Sequence, residues 1–88
     1  MNYRCRPMDL SLFPIRSLRQ AGVALRARRI ARQLSQKELG KISGTAQSTI
    51  SDVENGVVSV SLDVYLRLLE ALGAELSAKD RQVDGAKP

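Results

Sequence analysis

Apolar residues along this chain fall three and four apart in four separate stretches, each flanked by residues suited to starting or ending a helix. The first runs from Ser17, a candidate N-cap, to Gln33, with Leu18, Ala21, Ala24 and Leu25 on one face; Leu34 then drops into the core. The second opens on Ser35-Gln36-Lys37-Glu38, where Ser35 can accept a backbone hydrogen bond and Glu38 can return one, a capping box. It ends at Gly44, which tolerates the positive φ of a sharp corner. The third starts at Thr45 or Ala46 and ends at Gly56. Ile50 and Val53 form its buried edge, and Gln47, Ser48, Ser51, Asp52 and Asn55 face outward. The fourth is capped by Ser61, carries Leu62, Tyr65, Leu66, Leu69 and Leu72 as an apolar face for the core or, less favoured, a dimer seam, and closes at Gly73. The period then changes to two: Ala74, Leu76 and Ala78 alternate with Glu75, Ser77 and Lys79, which predicts a short strand. A lone strand has no partner within one chain, so it is expected to pair across a dimer. The fold class expected is all-α, a bundle of four to five helices with this C-terminal strand added.

The corner between the second and third helices makes a steric demand. Two helices meeting steeply through a short turn need a small residue at the contact, and Gly40 is placed there, with Leu39, Ile42, Ile50 and Val53 free to close around it. An ordinary helical hairpin would use the same corner. The run from Leu34 to Gly56, LSQKELGKISGTAQSTISDVENG, nevertheless resembles the helix-turn-helix of the lambdoid phage repressor and Xre family, in particular the LSQ-ELA-G-STIS-EN-G pattern of HipB-like antitoxins. The resemblance extends from about Gly22 to Leu76. It implies a lambda-repressor-like bundle whose third helix enters the major groove of DNA while the second lies across the backbone.

On that footing Gln47, at the exposed start of the third helix, is the first candidate for base contact, because its amide can donate and accept at adenine N6 and N7 together. Ala46 and Ser48 are small enough for close approach, and Ser51 lies farther along the same face. Asp52 could accept from cytosine or simply stay solvated. Gln36 begins the second helix, where its amide and the helix N-terminus can meet a phosphate; Lys37, Lys41, Thr45, Thr49 and Arg28 are further phosphate candidates. The resemblance also implies a structural ion pair between Arg29, in Leu25-Arg26-Ala27-Arg28-Arg29, and Glu54 of Glu-Asn-Gly. One departure stands out. The family carries basic residues and a proline in the loop after the third helix, and this chain has Val57, Val58, Ser59 and Val60.

Charge sharpens the picture. The 88 residues hold 14 Lys and Arg against 9 Asp and Glu, a net +5, and ten of the 14 lie at or before Lys41, where only Asp9 and Glu38 oppose them. One end of the molecule should therefore suit a polyanion, although +5 would also suit a ribosomal or membrane-surface protein. Histidine is absent and Cys5 is the single cysteine, which leaves no metal cluster, catalytic pair or disulfide framework to assemble. Neither an enzyme nor a cofactor is expected. Met8 to Ile15, broken by Asp9 and Pro14, is too short for a membrane span or signal peptide, and a soluble, cytoplasmic protein is expected.

Residues 1–16 are expected to form an irregular arm, whose Arg4 and Arg6 either follow the DNA backbone or stay solvated. Residues 17–79 form the DNA-binding domain with its dimerisation strand, and 80–88 a disordered tail. One such bundle reads only a few base pairs, so two copies on a palindromic operator are expected, with half-site centres roughly 34–36 Å apart. The function expected is a sequence-specific repressor that is also the antitoxin of a HipB/HipA-like pair, with a HipA-like kinase toxin as partner. The alternatives are a stand-alone Xre-type regulator, a phage or restriction controller, or a protein-interaction module that uses Val57, Val58 and Val60 and reads no DNA.

Overall fold

Serine side chains set where three of the helices begin. Ser17 Oγ accepts from the Gln20 N–H at 3.1 Å and opens α1 (Leu18–Ala31). Ser35 Oγ accepts from the Glu38 N–H at 3.0 Å, the Ser35 N–H donates to Glu38 Oε1 at 2.7 Å, and α2 (Gln36–Ser43) follows. α3 (Gln47–Glu54) starts from Ala46, which offers no side-chain cap. Ser61 Oγ accepts from the Val64 N–H at 3.3 Å and opens α4 (Leu62–Ala71). The computed structural model describes residues 14–57, 59–78 and 80, and within them these are the only helices and there is no strand.

Left-handed residues end the helices and turn the chain. Gly44, at φ 72°, makes the corner between α2 and α3. α1 stops earlier than its composition predicts: Gln33 takes φ 59°, so the helix ends at Ala31 and the chain turns to bring Leu34 back towards the core. Gly73, at φ 71°, ends α4, and the Ala74 N–H then returns to the Leu69 carbonyl at 2.8 Å. Residues 74–78 pair with no strand among the described residues. The arm expected over 1–16 lies, for residues 1–13, outside the described residues, as do Val58, Lys79 and the tail 81–88.

α1 packs on α3, and α2 packs on both α3 and α4. The core they enclose is Leu25, Leu39, Ile50, Val53, Tyr65, Leu68, Leu69 and Leu72. Two close approaches make it possible. A Cβ on Gly22 would fall into the Val53 carbonyl oxygen, and one on Gly40 would sit 2.7 Å from the Thr45 carbonyl oxygen. Gly40 thus has the role its position predicts, whereas the need for Gly22 shows only in the folded chain. Tyr65 ties α4 to α1 by donating its hydroxyl to the Ala21 carbonyl at 2.7 Å, and burial pushes its pKa up.

Four residues expected inside lie at the surface. Ile42 is 58% exposed, because α2 turns it away from the corner that Leu39 fills. On α4 the inward stripe is Tyr65, Leu68, Leu69 and Leu72, so the face is rotated from the one predicted: Leu68 is fully buried while Leu62 and Leu66 are 61% and 41% exposed. Leu18, at the first position of α1, is 52% exposed. It borders an apolar groove of about 270 Å³ that Ile15, Val53, Val60, Leu62 and Leu76 also line.

Candidate nucleic-acid interface

With Ile50 and Val53 anchored in the core, the opposite side of α3 is fixed outward. Ala46, Gln47 and Ser48 are exposed at its start, Ser51 and Thr49 are half-buried, and Asp52 and Asn55 are exposed towards its end. The first turn of α3 thus presents a glutamine amide, a hydroxyl and backbone N–H groups that no side chain caps. Lys37 and Lys41 are exposed on α2, and Arg28 is half-buried on α1. Thr45 is less available than its neighbours: its Oγ1 is buried and has no hydrogen-bond partner among the described residues.

Behind this surface lies a hydrogen-bonded cluster that joins three helices. Arg29 Nε donates to Glu54 Oε2 at 2.7 Å and Arg29 Nη2 to Glu54 Oε1 at 3.0 Å, a two-point contact between α1 and the end of α3. Arg29 Nη1 donates to the Leu34 carbonyl at 2.7 Å and so holds the turn between α1 and α2. The Glu54 side chain is 1% exposed and that of Arg29 11%. The hydrogen bond to Glu54 raises the pKa of Arg29 against the opposing effect of burial, keeping the guanidinium charged. Breaking such a pair from one side strands a buried charge, whereas its net worth relative to apolar residues is small.

Gln36 belongs to the same cluster. Its Nε2 donates to Glu54 Oε1 at 3.0 Å, so the side chain considered above for phosphate is half-buried and held from inside. No spacing along the chain announces this contact, since the two residues approach only when α2 and α3 have packed. Ala74, half-buried, and Leu76 and Ala78, exposed, follow α4, with Leu76 on the wall of the groove. Among the valines after α3, Val57 is exposed while Val60 is half-buried against the core.

Solved structures of similar proteins fall among regulators. The restriction-modification controller protein C.AhdI from Aeromonas hydrophila is 41% identical, with a TM-score of 0.63 over 66% of this chain and 88% of that one. The clp gene regulator ClgR from Corynebacterium glutamicum is 33% identical, with a TM-score of 0.63 over 72% of this chain and 82% of that one. HipB, in its complex with an O4 20mer, is 28% identical, with a TM-score of 0.73 over 81% of this chain and all of that one. No curated protein sequence matches significantly. The described helices include none long and apolar enough to cross a membrane. The helix-turn-helix family model matches residues 25–78, which take in every contact of the Arg29, Gln36 and Glu54 cluster and the whole corner around Gly40, and the chain belongs to that family, in its Xre and lambda-repressor-like form.

Proposed function

We propose that this protein is a sequence-specific DNA-binding repressor that works as a homodimer on a palindromic operator, as the antitoxin and autorepressor of a HipB/HipA-like pair. The observation that carries DNA reading is the exposed polar start of α3, Gln47 and Ser48, held outward by a buried Ile50 and Val53 on a molecule of net charge +5. Gln47, with Ala46, Ser48 and Ser51, contacts bases; Lys37, Lys41, Thr49, Arg28 and Gln36 contact the backbone, and Thr45, whose hydroxyl is buried, is left out of that set. Dimerisation is supported by the apolar groove, with Leu18 and Leu62 on its wall, and by the exposed Leu66 on the same helix as Leu62, which a second copy would cover. The antitoxin role is supported by the likeness to HipB across 81% of the chain and by the existence of HipB in a HipA-HipB-O2-O3 complex. The 41% identity to C.AhdI favours a second reading, a controller of a restriction-modification system.

Fluorescence anisotropy with a labelled duplex from the region upstream of its own gene tests the common part. Tight binding that weakens steeply with added salt and exceeds that of a scrambled duplex is expected. Equal binding to both duplexes would end the repressor reading. Co-expression with the neighbouring reading frame then separates the finer roles: a stable complex with a kinase-like neighbour supports the antitoxin, and a methyltransferase or endonuclease neighbour that forms no complex supports the controller.

A further inference from the structure

Glu54 collects more donors than an ion pair requires. Arg29 already donates to both carboxylate oxygens, at 2.7 and 3.0 Å, yet Oε1 also accepts from Gln36 Nε2 at 3.0 Å. A carboxylate can only accept, so the Gln36 amide must turn its nitrogen inward. That nitrogen bears two hydrogens, and Glu54 engages one of them. Gln36 is the first residue of α2 and is half-buried, so its side chain is partly accessible from outside the protein while the other hydrogen has no partner among the described hydrogen bonds. Glu54 itself, 1% exposed, is not accessible in this way.

We propose that Glu54 is a positioning residue for the DNA-backbone contact: it orients the Gln36 amide so that the second Nε2 hydrogen is offered to a phosphate oxygen. The inference rests on the reading of the chain as a DNA-binding protein. A free glutamine side chain loses rotamer freedom when it contacts phosphate, whereas one already tied to Glu54 has lost that freedom on folding. Arg29 cancels the charge of Glu54, so an approaching phosphate meets a neutral cluster. Through this arrangement the packing of α1 and α3 reaches a contact made by α2.

A double-mutant cycle tests the coupling. Affinity for a duplex from upstream of the gene is measured for the wild type, Gln36→Ala, the apolar pair Arg29→Met with Glu54→Leu, and the triple variant. Gln36→Ala is expected to weaken binding about three- to tenfold in the wild type and to have no further effect on the apolar pair. Its salt dependence should not change, since a neutral amide displaces no cation. An equal loss in both backgrounds would overturn the proposal, whereas failure of the wild type to bind DNA would instead remove the reading beneath it. Nuclear magnetic resonance of the wild type provides the same decision without the apolar pair, should that variant fail to fold. The Gln36 side-chain amide, assigned by its loss in Gln36→Ala, should be resolved from exposed glutamines before DNA is added. One of its two hydrogens should then shift on saturation with the duplex. An amide that coincides with exposed glutamines, or is unmoved by DNA, counts against the proposal.

Discussion

Gln47 and Arg29 carry opposite kinds of burden, and substitution separates them. Gln47 is exposed, so Gln47→Ala should leave the denaturation midpoint unchanged while reducing discrimination at one base pair per half-site by about 1–3 kcal/mol. A uniform loss across all duplexes would refute base reading. Arg29→Ala should do the reverse of the first effect, because it strands the Glu54 carboxylate at 1% exposure. Urea denaturation is expected to show a loss of about 3–5 kcal/mol. An unchanged midpoint would mean that water or another donor replaces the guanidinium. Gln36 stands between these two cases, tied to a buried carboxylate on one side and half-exposed on the other.

At the scale of the element, α1 approaches α3 through a glycine. Gly22→Ala would drive a Cβ into the Val53 carbonyl oxygen and to 2.7 Å from that of Glu54, so one backbone must move away. A net destabilisation of about 1–3 kcal/mol by thermal unfolding is expected, even though alanine is the better helix former. A stabilised variant would show that the α1–α3 contact is looser than described. The start of α2 gives a pH dependence of known sign. The hydrogen bonds from the Ser35 backbone and side chain hold the Glu38 carboxyl below its ordinary pKa. The capping box therefore adds stability that is complete above the unfolded pKa of Glu38 and is lost as pH falls through the lower, folded value. Acid titration of unfolding should show this component in the wild type and not in Glu38→Gln. Its persistence in the variant would assign it to another carboxyl.

On the whole molecule, the apolar side chains left outside matter as much as those within. Leu18 and Leu62, 52% and 61% exposed, line a groove of about 270 Å³, and Leu66, one turn beyond Leu62 on α4, is 41% exposed, on a chain too small to bury a large core alone. If a second copy covers this face, Leu62→Glu with Leu66→Glu should yield a helical monomer by sedimentation and circular dichroism. Binding to the palindromic duplex should fall far more than binding to a scrambled one. A double variant that still sediments as a dimer would place the interface elsewhere, with the segment after Gly73 as the next candidate.

Much of this was legible in the residues because it is local. Ser17, Ser35 and Ser61 as caps, Glu38 returning the hydrogen bond of Ser35, and Gly44 and Gly73 as left-handed stops all act within a few residues of themselves, and the structure has each at work. The outward turn of Gln47 followed from the inward turn of Ile50 and Val53 on the same short helix. Periodicity, however, fixes only the angle between side chains about one axis, not where the neighbouring helix will lie. That is why α4 buries Leu68 and exposes Leu62, and why Ile42 faces out. The close pass at Gly22 and the bond from Gln36 to Glu54 depend on separate helices arriving within about 3 Å of one another, a distance that packing alone sets.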